Sequence, residues 1–261
     1  MRQFLLPRRY AGEPRATLGG DDFHYLVRVL RLRAGEAAPA VDARGARYEM
    51  RIARVGREDC EVELAPAAAL AASPAREAGP RASIALLQCL PKGRKIDLIV
   101  RQATEAGVCR IVPLYSERSL VRPGDDANRL ARLRRIAREA LQQCGGARLP
   151  DIEEPRQLAA LAAEAAKGEG AWGTGLFFHQ ERVEAATLHE LLADAPRAVS
   201  VLIGPEGGLS PGEVAALTAA GFRPAFLGGT VLRAETAALY AIGAVTTILQ
   251  ERDAWTPVRR K

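Results

Sequence analysis

The sequence has 261 residues, of which 48% are hydrophobic and 26% charged, and its 37 basic side chains outnumber the 31 acidic ones. A chain of this length can bury a sizeable core and can form two domains. Its apolar runs fall short of the roughly 18 residues that a membrane span needs, and no small-residue cleavage site follows the short apolar start at residues 4–6. We therefore expect a soluble, cytoplasmic protein without a membrane partner.

Cysteine and histidine give no sign of a metal centre. The four cysteines contain no C-x-x-C pair, and the three histidines are His24, His179 and His189. Neither a disulfide framework nor a zinc site is indicated, so we expect reduced thiols and no metal.

Positive charge is concentrated in one segment of the chain. Residues 81–150 carry 14 basic and 6 acidic side chains, whereas residues 151–250 carry 6 and 12. Such segregation indicates a face that binds a polyanion rather than a uniformly basic surface.

Residues 1–70 are predicted to form a small β-rich domain. Strand-like patterns occur at residues 2–6, 38–41, 46–55 and 60–64, and one amphipathic helix is predicted at residues 21–32. Strands around a single helix fit a small barrel. On this helix His24, Arg28 and Arg31 follow at spacings of four and three and would share a face. This basic stripe, with Arg8 and Arg9, is a candidate for RNA binding, and an ordinary solvated face is the equal alternative.

A linker is predicted at residues 71–80, within a stretch rich in alanine and proline. From residue 81 to 261 the pattern changes. Strands at 82–89, 109–114, 175–178 and 199–203 alternate with helices, of which the one at 128–143 is strongly amphipathic. This alternation is typical of an α/β domain, a parallel sheet with helices on both faces.

Glycine turns end two of the apolar runs in this second domain. The first, residues 204–208, is followed by Ser210 as a helix cap, Pro211 in the first helical position and Glu213 three residues after the cap. The second is Gly228-Gly229, which precedes a helix at residues 236–250. Neighbouring glycine turns at strand ends indicate a ligand pocket.

The first turn is poorly suited to phosphate. It lacks the G-x-G-x-x-G and G-K-[ST] spacings, and Glu206 places a carboxylate where phosphate would need positive charge. Glycine backbone suits a neutral hydrogen-bonding group such as adenine better, and an acidic neighbour tolerates a cationic ligand.

These motifs, in chain order, resemble the signature of the SPOUT methyltransferases, specifically the ribosomal RNA small-subunit methyltransferase E family. The resemblance spans the whole chain and is strong as an ordered set. It rests on residues 204–210 with Glu213, Leu227-Gly228 and 231–237, and earlier on His24 with 29–31, Lys92, 105–108, Pro113, 117–119, 143–145, Arg148 and Pro150. The chain departs from the family pattern at Gln142 and Gly146, where a glutamate and an arginine are common.

The resemblance implies a fold, a reaction and partners. It implies an N-terminal PUA-like β-barrel and a C-terminal trefoil-knotted SPOUT sheet. It further implies S-adenosylmethionine as methyl donor, a homodimer, and methylation of a uridine at N3 in 16S ribosomal RNA, either free or in the assembled small subunit. Other outcomes stay open: a SPOUT enzyme for a ribose 2′-hydroxyl or a tRNA base, or a non-catalytic ribosome-assembly protein.

Site residues are assigned on the same basis. Arg233 is expected to hold the uracil carbonyl oxygens, with an ion pair to Glu206 or Glu235 as its structural alternative. Glu206 and Glu235 are candidate proton acceptors. Glu206 could instead neutralise the sulfonium or hold the loop backbone by hydrogen bonds, and Glu235 could instead cap the last helix. Water could also accept the proton. The residues expected to bind the cofactor are Leu202, Ile203, Gly204, Pro205, Glu206, Gly207, Gly208, Leu227, Gly228, Val231, Leu232 and Thr236. The residues expected to bind RNA are Arg8, Arg9, His24, Arg28, Arg31, Lys92, Arg94 and Arg118.

Overall fold

The computed structural model describes residues 3–67, 82–179 and 186–254. The chain forms two compact units, Met1–Ala78 with Arg138–Leu149 and Gly79–Ala137 with Pro150–Lys261. The predicted linker at residues 71–80 lies outside the described ranges, and the domain boundaries therefore stay a prediction. Within those ranges, no helix has the length and hydropathy needed to cross a bilayer.

The first unit contains a five-stranded sheet in the order β1-β3-β4-β5-β2. β1 and β3 are parallel and the other pairs antiparallel. Along β4 the side chains of Met50 and Ile52 are buried between exposed neighbours, the alternation of a strand with one buried face. The strands are β1 Phe4–Leu5, β2 Arg15–Gly19, β3 Ala37–Val41, β4 Arg47–Val55 and β5 Asp59–Pro66.

Strand β2 was not predicted from the sequence. Only Leu18 of its five residues is buried, so the strand has almost no apolar alternation of its own. Its conformation comes from pairing with β5, where Leu18 lies opposite Cys60. The strand is therefore a product of tertiary structure rather than of local pattern.

The predicted helix at residues 21–32 is shorter and differently wound than expected. It begins as α1, Gly20–Phe23, and continues as a π-helix, His24–Val29. The Leu30 N–H donates to the Tyr25 carbonyl at 2.8 Å, five residues back, and Arg31 then adopts a φ of 57°. Arg31 therefore lies beyond the helix, and the prediction that it shares an α-helical face with His24 was wrong, because the wider π-turn ends the helix first.

The second unit is built on a seven-stranded parallel sheet. The order is β12-β10-β11-β6-β7-β8, and β9 also pairs with β7. The strands are β6 Ser83–Cys89, β7 Arg110–Tyr115, β8 Asp151–Ile152, β9 Arg156–Gln157, β10 Thr174–Phe178, β11 Ala198–Ile203 and β12 Arg223–Ala225. The helices are α2 Lys95–Glu105, α3 Asp126–Cys144, α4 Leu158–Ala166, α5 Leu188–Leu191, α6 Pro211–Ala219 and α7 Ala234–Ala254.

Both faces of this sheet are covered. Leu87, Phe177 and Leu202 form one cross-strand row and share a core cluster with residues of α4 and α6. The next row, with Leu86 and Val201, points to the opposite face, where α7 packs against α2 and the central strands. The predicted α/β class, a parallel sheet between two helical layers, is confirmed.

Helix α3 has the predicted amphipathic character. Leu133 and Ala137 are fully buried. Most of its arginines, however, make contacts within their own unit: Arg129 with Asp126, Arg132 with Asp97 at 3.1 Å, Arg134 with the Ile152 carbonyl at 2.9 Å, and Arg138 with Asp22 at 2.7 Å.

The two departures from the family pattern lie where α3 meets the first strand. The Gln3 backbone N–H donates to the Gln142 carbonyl at 2.9 Å, and Gln3 Nε2 donates to the Gly146 carbonyl at 2.6 Å. A Cβ at Gly146 would lie only 2.9 Å from Leu141 Cδ1. This backbone therefore accepts a longer side chain at position 146 only if Leu141 moves.

Candidate active site

Three neighbouring parallel strands end at one pocket. β10 ends at Phe178, β11 at Ile203 and β12 at Ala225, and parallel pairing places their carboxyl ends at the same edge of the sheet. The cavity there measures about 260 Å³, close to the lower end of the roughly 300–1,000 Å³ found for small-molecule sites. It is lined by Phe178, His179, Ile203, Gly204, Pro205, Glu206, Gly208, Leu209, Phe226, Leu227, Gly228, Thr230, Val231, Leu232, Arg233, Ala234 and Ala237.

The first glycine turn is held in place by the helix that follows it. The Gly208 N–H donates to the Pro205 carbonyl at 2.9 Å, and Gly208 adopts a φ of 68° that favours glycine. Ser210 and Glu213 form the predicted capping box at the start of α6. The strand, turn and helix sequence predicted for this stretch is confirmed.

Glu213 does more than the predicted capping. Its buried carboxylate also accepts hydrogen bonds from Ser116 Oγ at 3.2 Å and from the Glu117 backbone N–H at 2.8 Å. In the same loop, Arg118 Nη1 donates to the Gly207 carbonyl at 3.0 Å. The loop after β7 is therefore bonded to helix α6 through Glu213 and to the glycine turn through Arg118.

Arg233 stands at the entrance to helix α7. Its carbonyl accepts the Ala237 N–H at 2.8 Å, which fixes its backbone at the first turn of the helix, while its side chain is exposed and lines the pocket. Gly228, in the second glycine turn, has a φ of 115°. Across the ranges that the structure describes, Arg233 forms no ion pair. The alternative role of Arg233, a structural ion pair with Glu206 or Glu235, is therefore not supported by a contact.

The carboxylate of Glu206 is occupied. Its Oε1 accepts from Lys95 Nζ at 2.7 Å and from the Lys92 backbone N–H at 3.2 Å. Burial raises the pKa of Glu206, but the hydrogen bonds from Lys95 and from backbone N–H groups outweigh it, so that the pKa lies below its ordinary value. A carboxylate with a lowered pKa is a weaker base.

Glu235 lies in the first turn of α7 and does not line the pocket. Its Oε2 is 3.9 Å from Lys95 Nζ and is buried, with no hydrogen-bond partner among the described residues. An acidic residue at this position also interacts favourably with the helix dipole.

The pocket gathers most of the residues expected to bind the cofactor. Leu202, Gly207 and Thr236 are not part of its lining: Leu202 points into the core between β6 and β10, Gly207 faces Arg118, and Thr236 is exposed on α7. The residues that sequence reasoning missed are Phe178, His179, Leu209, Phe226, Thr230, Ala234 and Ala237. Phe178 ends β10, which is adjacent to β11, and His179 follows it, so the order of strands in the sheet is the signal that identifies them.

The candidate RNA-binding side chains are all exposed and are divided between the units. Arg8 and Arg9 occupy a turn of the first unit, which also carries His24, Arg28 and Arg31. In the second unit, Lys92, Arg94 and Arg118 lie in two loops, and contacts of Lys92 and Arg118 reach the first glycine turn. Among the described residues, no cluster of His, Cys, Asp or Glu has the arrangement of a metal site.

Comparisons with known proteins agree with this architecture. The family model described as "RNA methyltransferase domain" matches residues 78–246, and the model described as "RNA methyltransferase PUA domain" matches residues 18–65. Fold and site together define a SPOUT-class RNA methyltransferase with a PUA-like module, which confirms the predicted fold class.

Individual relatives narrow the class. The ribosomal RNA small subunit methyltransferase E of Mycobacterium bovis is 32% identical over 92% of this chain and 88% of its own length. That of Bacillus subtilis is 28% identical over 89% and 90%. The structure of the Neisseria gonorrhoeae enzyme bound to S-adenosyl methionine superposes with a TM-score of 0.79 at 29% identity, covering 95% of this chain and 98% of that one. The chain belongs to the ribosomal RNA small subunit methyltransferase E family.

Proposed function

We propose that this protein transfers a methyl group from S-adenosylmethionine to N3 of a uridine in 16S ribosomal RNA. The observation that carries the proposal is the pocket at the carboxyl edge of the parallel sheet in a chain of this family. Two glycine turns meet there with Arg233, which has no ion pair among the described residues. RNA methylation is the activity of the family, and the residue roles below are our proposals.

The pocket suits the adenosyl group of S-adenosylmethionine. Its walls are largely glycine backbone and apolar side chains, among them Ile203, Leu209, Leu227 and Leu232. Backbone N–H and C=O groups can pair with adenine, and apolar walls cover its faces. When bound, the cofactor supplies an electrophilic methyl group on a sulfonium, which leaves as a neutral thioether.

Arg233 is the proposed catalytic residue. Uracil N3–H is a weak acid, and loss of its proton spreads negative charge over the O2 and O4 carbonyl oxygens. A guanidinium stays protonated and offers several N–H donors, so that Arg233 can stabilise this charge as it develops. It cannot itself accept the proton.

Glu206 and Glu235 are proposed to position the site rather than to act as bases. Glu206 accepts hydrogen bonds from Lys95 and from the Lys92 backbone N–H. Burial raises the pKa of Glu206, but these hydrogen bonds outweigh burial, and the pKa lies below its ordinary value. Glu235 does not line the pocket. Water is therefore the proposed acceptor of the N3 proton.

The remaining proposals concern partners and location. We propose that the PUA-like module and the exposed arginines of both units bind the ribosomal RNA, and that the protein acts in the cytoplasm. A homodimer is proposed on the resemblance and on the apolar exposure of α7, where Leu239 and Tyr240 are 40% and 56% exposed. Sedimentation velocity of the wild type and of Tyr240→Glu tests the dimer, since a monomeric wild type would contradict it.

Mass spectrometry of ribosomal RNA nucleosides from cells lacking the gene tests the activity. We expect loss of 3-methyluridine from 16S RNA, with restoration by the wild-type gene and not by Arg233→Ala. Loss of a ribose or tRNA methylation instead would indicate another SPOUT substrate, and an unchanged methylation profile would indicate a non-catalytic protein. Purified enzyme incubated with free 16S RNA and with unmethylated small subunits would then identify the physical substrate.

A further inference from the structure

Lys95 forms ion pairs with two carboxylates, one in the first glycine turn and one in the first turn of α7. It is the first residue of α2, and its Nζ lies 2.7 Å from Glu206 Oε1 and 3.9 Å from Glu235 Oε2. Glu206 belongs to the first glycine turn, and Glu235 lies two residues after Arg233. One ammonium group thus connects the turn that follows β11 with the turn that enters α7.

The two carboxylates depend on Lys95 to different degrees. Glu206 also accepts the Lys92 backbone N–H. Glu235 Oε2 is buried and has no hydrogen-bond partner among the described residues, which leaves the Lys95 ammonium as its nearby counter-charge. A buried carboxylate oxygen without a donor favours capture of any cation within reach.

Arg233 is a second cation near these carboxylates, because it lines the same pocket as Glu206 and precedes Glu235 by two residues. The hydrogen bond to Glu206 raises the pKa of Lys95 above its ordinary value, and the positive charge of Arg233 lowers this pKa by a smaller amount. Guanidinium groups pair with carboxylates through two parallel hydrogen bonds, a geometry more favourable than that of an ammonium. Among the described residues, Arg233 nevertheless pairs with neither carboxylate. Lys95 occupies both.

We propose that Lys95 is a positioning residue: it occupies Glu206 and Glu235 and thereby leaves the guanidinium of Arg233 free to face the substrate. The inference rests on the proposed function in assigning that substrate as a uracil base. Removal of Lys95 would leave two carboxylates and one guanidinium, and Arg233 would pair with a carboxylate instead of facing the substrate.

Steady-state kinetics of Lys95 variants test this role. Lys95→Met should lower kcat by about 10²-fold, the effect typical of a misplaced catalytic group, with the Kd for S-adenosylmethionine within about threefold of wild type. Lys95→Arg should keep most of the activity because it retains the cation. Lys167→Met, an exposed lysine at the end of α4, is the matched control.

A double variant separates capture of Arg233 from simple loss of a structural bond. In Lys95→Met with Glu206→Gln, one of the competing carboxylates is neutral, so part of the lost kcat should return. A role of Lys95 in fold stability alone predicts that the double variant is no better than the single one. Absence of any recovery would overturn the proposal.

A second readout does not depend on turnover. Phenylglyoxal reacts with accessible guanidinium groups, and peptide mass spectrometry can follow its addition to Arg233 with time. We expect slower modification in Lys95→Met than in wild type, and recovery in the double variant. Equal rates would overturn the proposal even if the enzyme methylates uridine; conversely, failure of the wild type to methylate uridine would leave this measurement informative.

Discussion

The charged residues around the pocket have separate tasks that their sequence positions do not reveal. Glu206, Glu235, Lys95 and Arg233 come from three segments of the chain, and carboxylate contacts with Lys95 are formed while Arg233 stays unpaired within the described residues. The two glutamates therefore pair with Lys95, and the exposed guanidinium of Arg233 stays available to a substrate.

Replacement of Arg233 should separate catalysis from cofactor binding. We expect Arg233→Ala to lower kcat by about 10²–10³-fold, the cost of removing one donor that stabilises developing charge. The Kd for S-adenosylmethionine should stay within a few-fold, because the remaining lining is unchanged. Single-turnover kinetics and calorimetry measure the two quantities.

Arg197 provides the matched control for this variant. It is exposed and immediately precedes β11, at the end of that strand opposite to the pocket. Arg197→Ala should leave both quantities unchanged. Equal loss of cofactor binding and turnover in Arg233→Ala would show that Arg233 supports the pocket structurally.

Glu206 should contribute stability that depends on pH. Burial raises the pKa of Glu206, but hydrogen bonds from Lys95 and from backbone N–H groups lower it by more. The pKa in the folded protein therefore lies below the pKa in the unfolded chain. A depressed folded pKa stabilises the protein above the unfolded pKa, about 4.3 for glutamate, and this contribution is lost as pH falls through the folded value. The Tm difference between wild type and Glu206→Gln should therefore be largest near neutral pH and shrink in acid.

Calorimetric scans over a pH series measure this difference. Glu169→Gln, at an exposed position after α4, is the control and should show little difference at any pH. A difference for Glu206→Gln that is independent of pH would mean that the ionised state of this side chain does not stabilise the fold.

At the scale of elements, helix α6 links the glycine turn to the loop after β7. Its N-terminus carries a capping box of the same type as the short helix α5, where Thr187 and Glu190 are the partners. Glu190 is exposed, whereas Glu213 is 9% exposed and holds Ser116 and the Glu117 N–H as well. The same sequence signature thus has different consequences at the two helices.

Glu213→Ala should therefore destabilise the protein far more than Glu190→Ala. Loss of the box costs about 0.5–2 kcal/mol, and the buried Ser116 hydroxyl left without its acceptor costs about 1–3 kcal/mol, so we expect a total of about 1.5–5 kcal/mol. Equilibrium unfolding in urea measures both variants. Equal effects would show that the loop contacts of Glu213 add nothing to the cap.

The π-helix of the first unit presents the basic residues proposed to bind RNA. His24 and Arg28 lie within it, and Arg31 follows it with a left-handed backbone, so all three are exposed without sharing one α-helical face. Their proposed role in RNA binding therefore depends on their positive charge and not on a shared helical face, and it is tested by removing that charge.

Changing Arg28 and Arg31 together to Ala should weaken binding to 16S RNA and flatten its salt dependence. Loss of two phosphate contacts lowers the slope of log K against log salt by about 1.4 for single-stranded RNA. Arg51→Ala with Arg54→Ala is the charge-matched control, because these side chains pair with Glu49 and Glu61. Filter binding at several salt concentrations measures the slopes, and an unchanged slope would identify an ordinary solvated surface.

At the scale of the whole molecule, parallel strand order assembles the pocket. In the sequence, 19 residues separate β10 from β11 and another 19 separate β11 from β12, yet the three strands end side by side. The resulting walls combine backbone from glycine turns with apolar side chains, and they offer no phosphate-binding glycine loop. Such walls suit an adenosyl group better than a triphosphate.

S-adenosylmethionine should stabilise the protein and ATP should not. At about one hundred times its Kd, a ligand specific for the folded state adds about 2.7 kcal/mol to the free energy of unfolding. The effect should persist in EDTA, because the contacts proposed for the adenosyl group come from backbone and apolar atoms. Urea unfolding with each ligand measures it; equal stabilisation by ATP, or loss of the cofactor effect in EDTA, would contradict the proposed binding mode.

The sequence by itself determined the alternation of strands and helices, the two glycine turns and the capping box, because these depend on local periodicity and on backbone preferences of glycine, serine and proline. It also supported the family and most of the pocket. Tertiary structure decided the rest: β2 forms by pairing with β5, Phe178 and His179 reach the pocket through strand order, and Lys95 meets Glu206 and Glu235. Lys95 is more than a hundred positions from Glu206, and Leu18 of β2 is more than forty from Cys60 of β5, so no local pattern encodes these contacts.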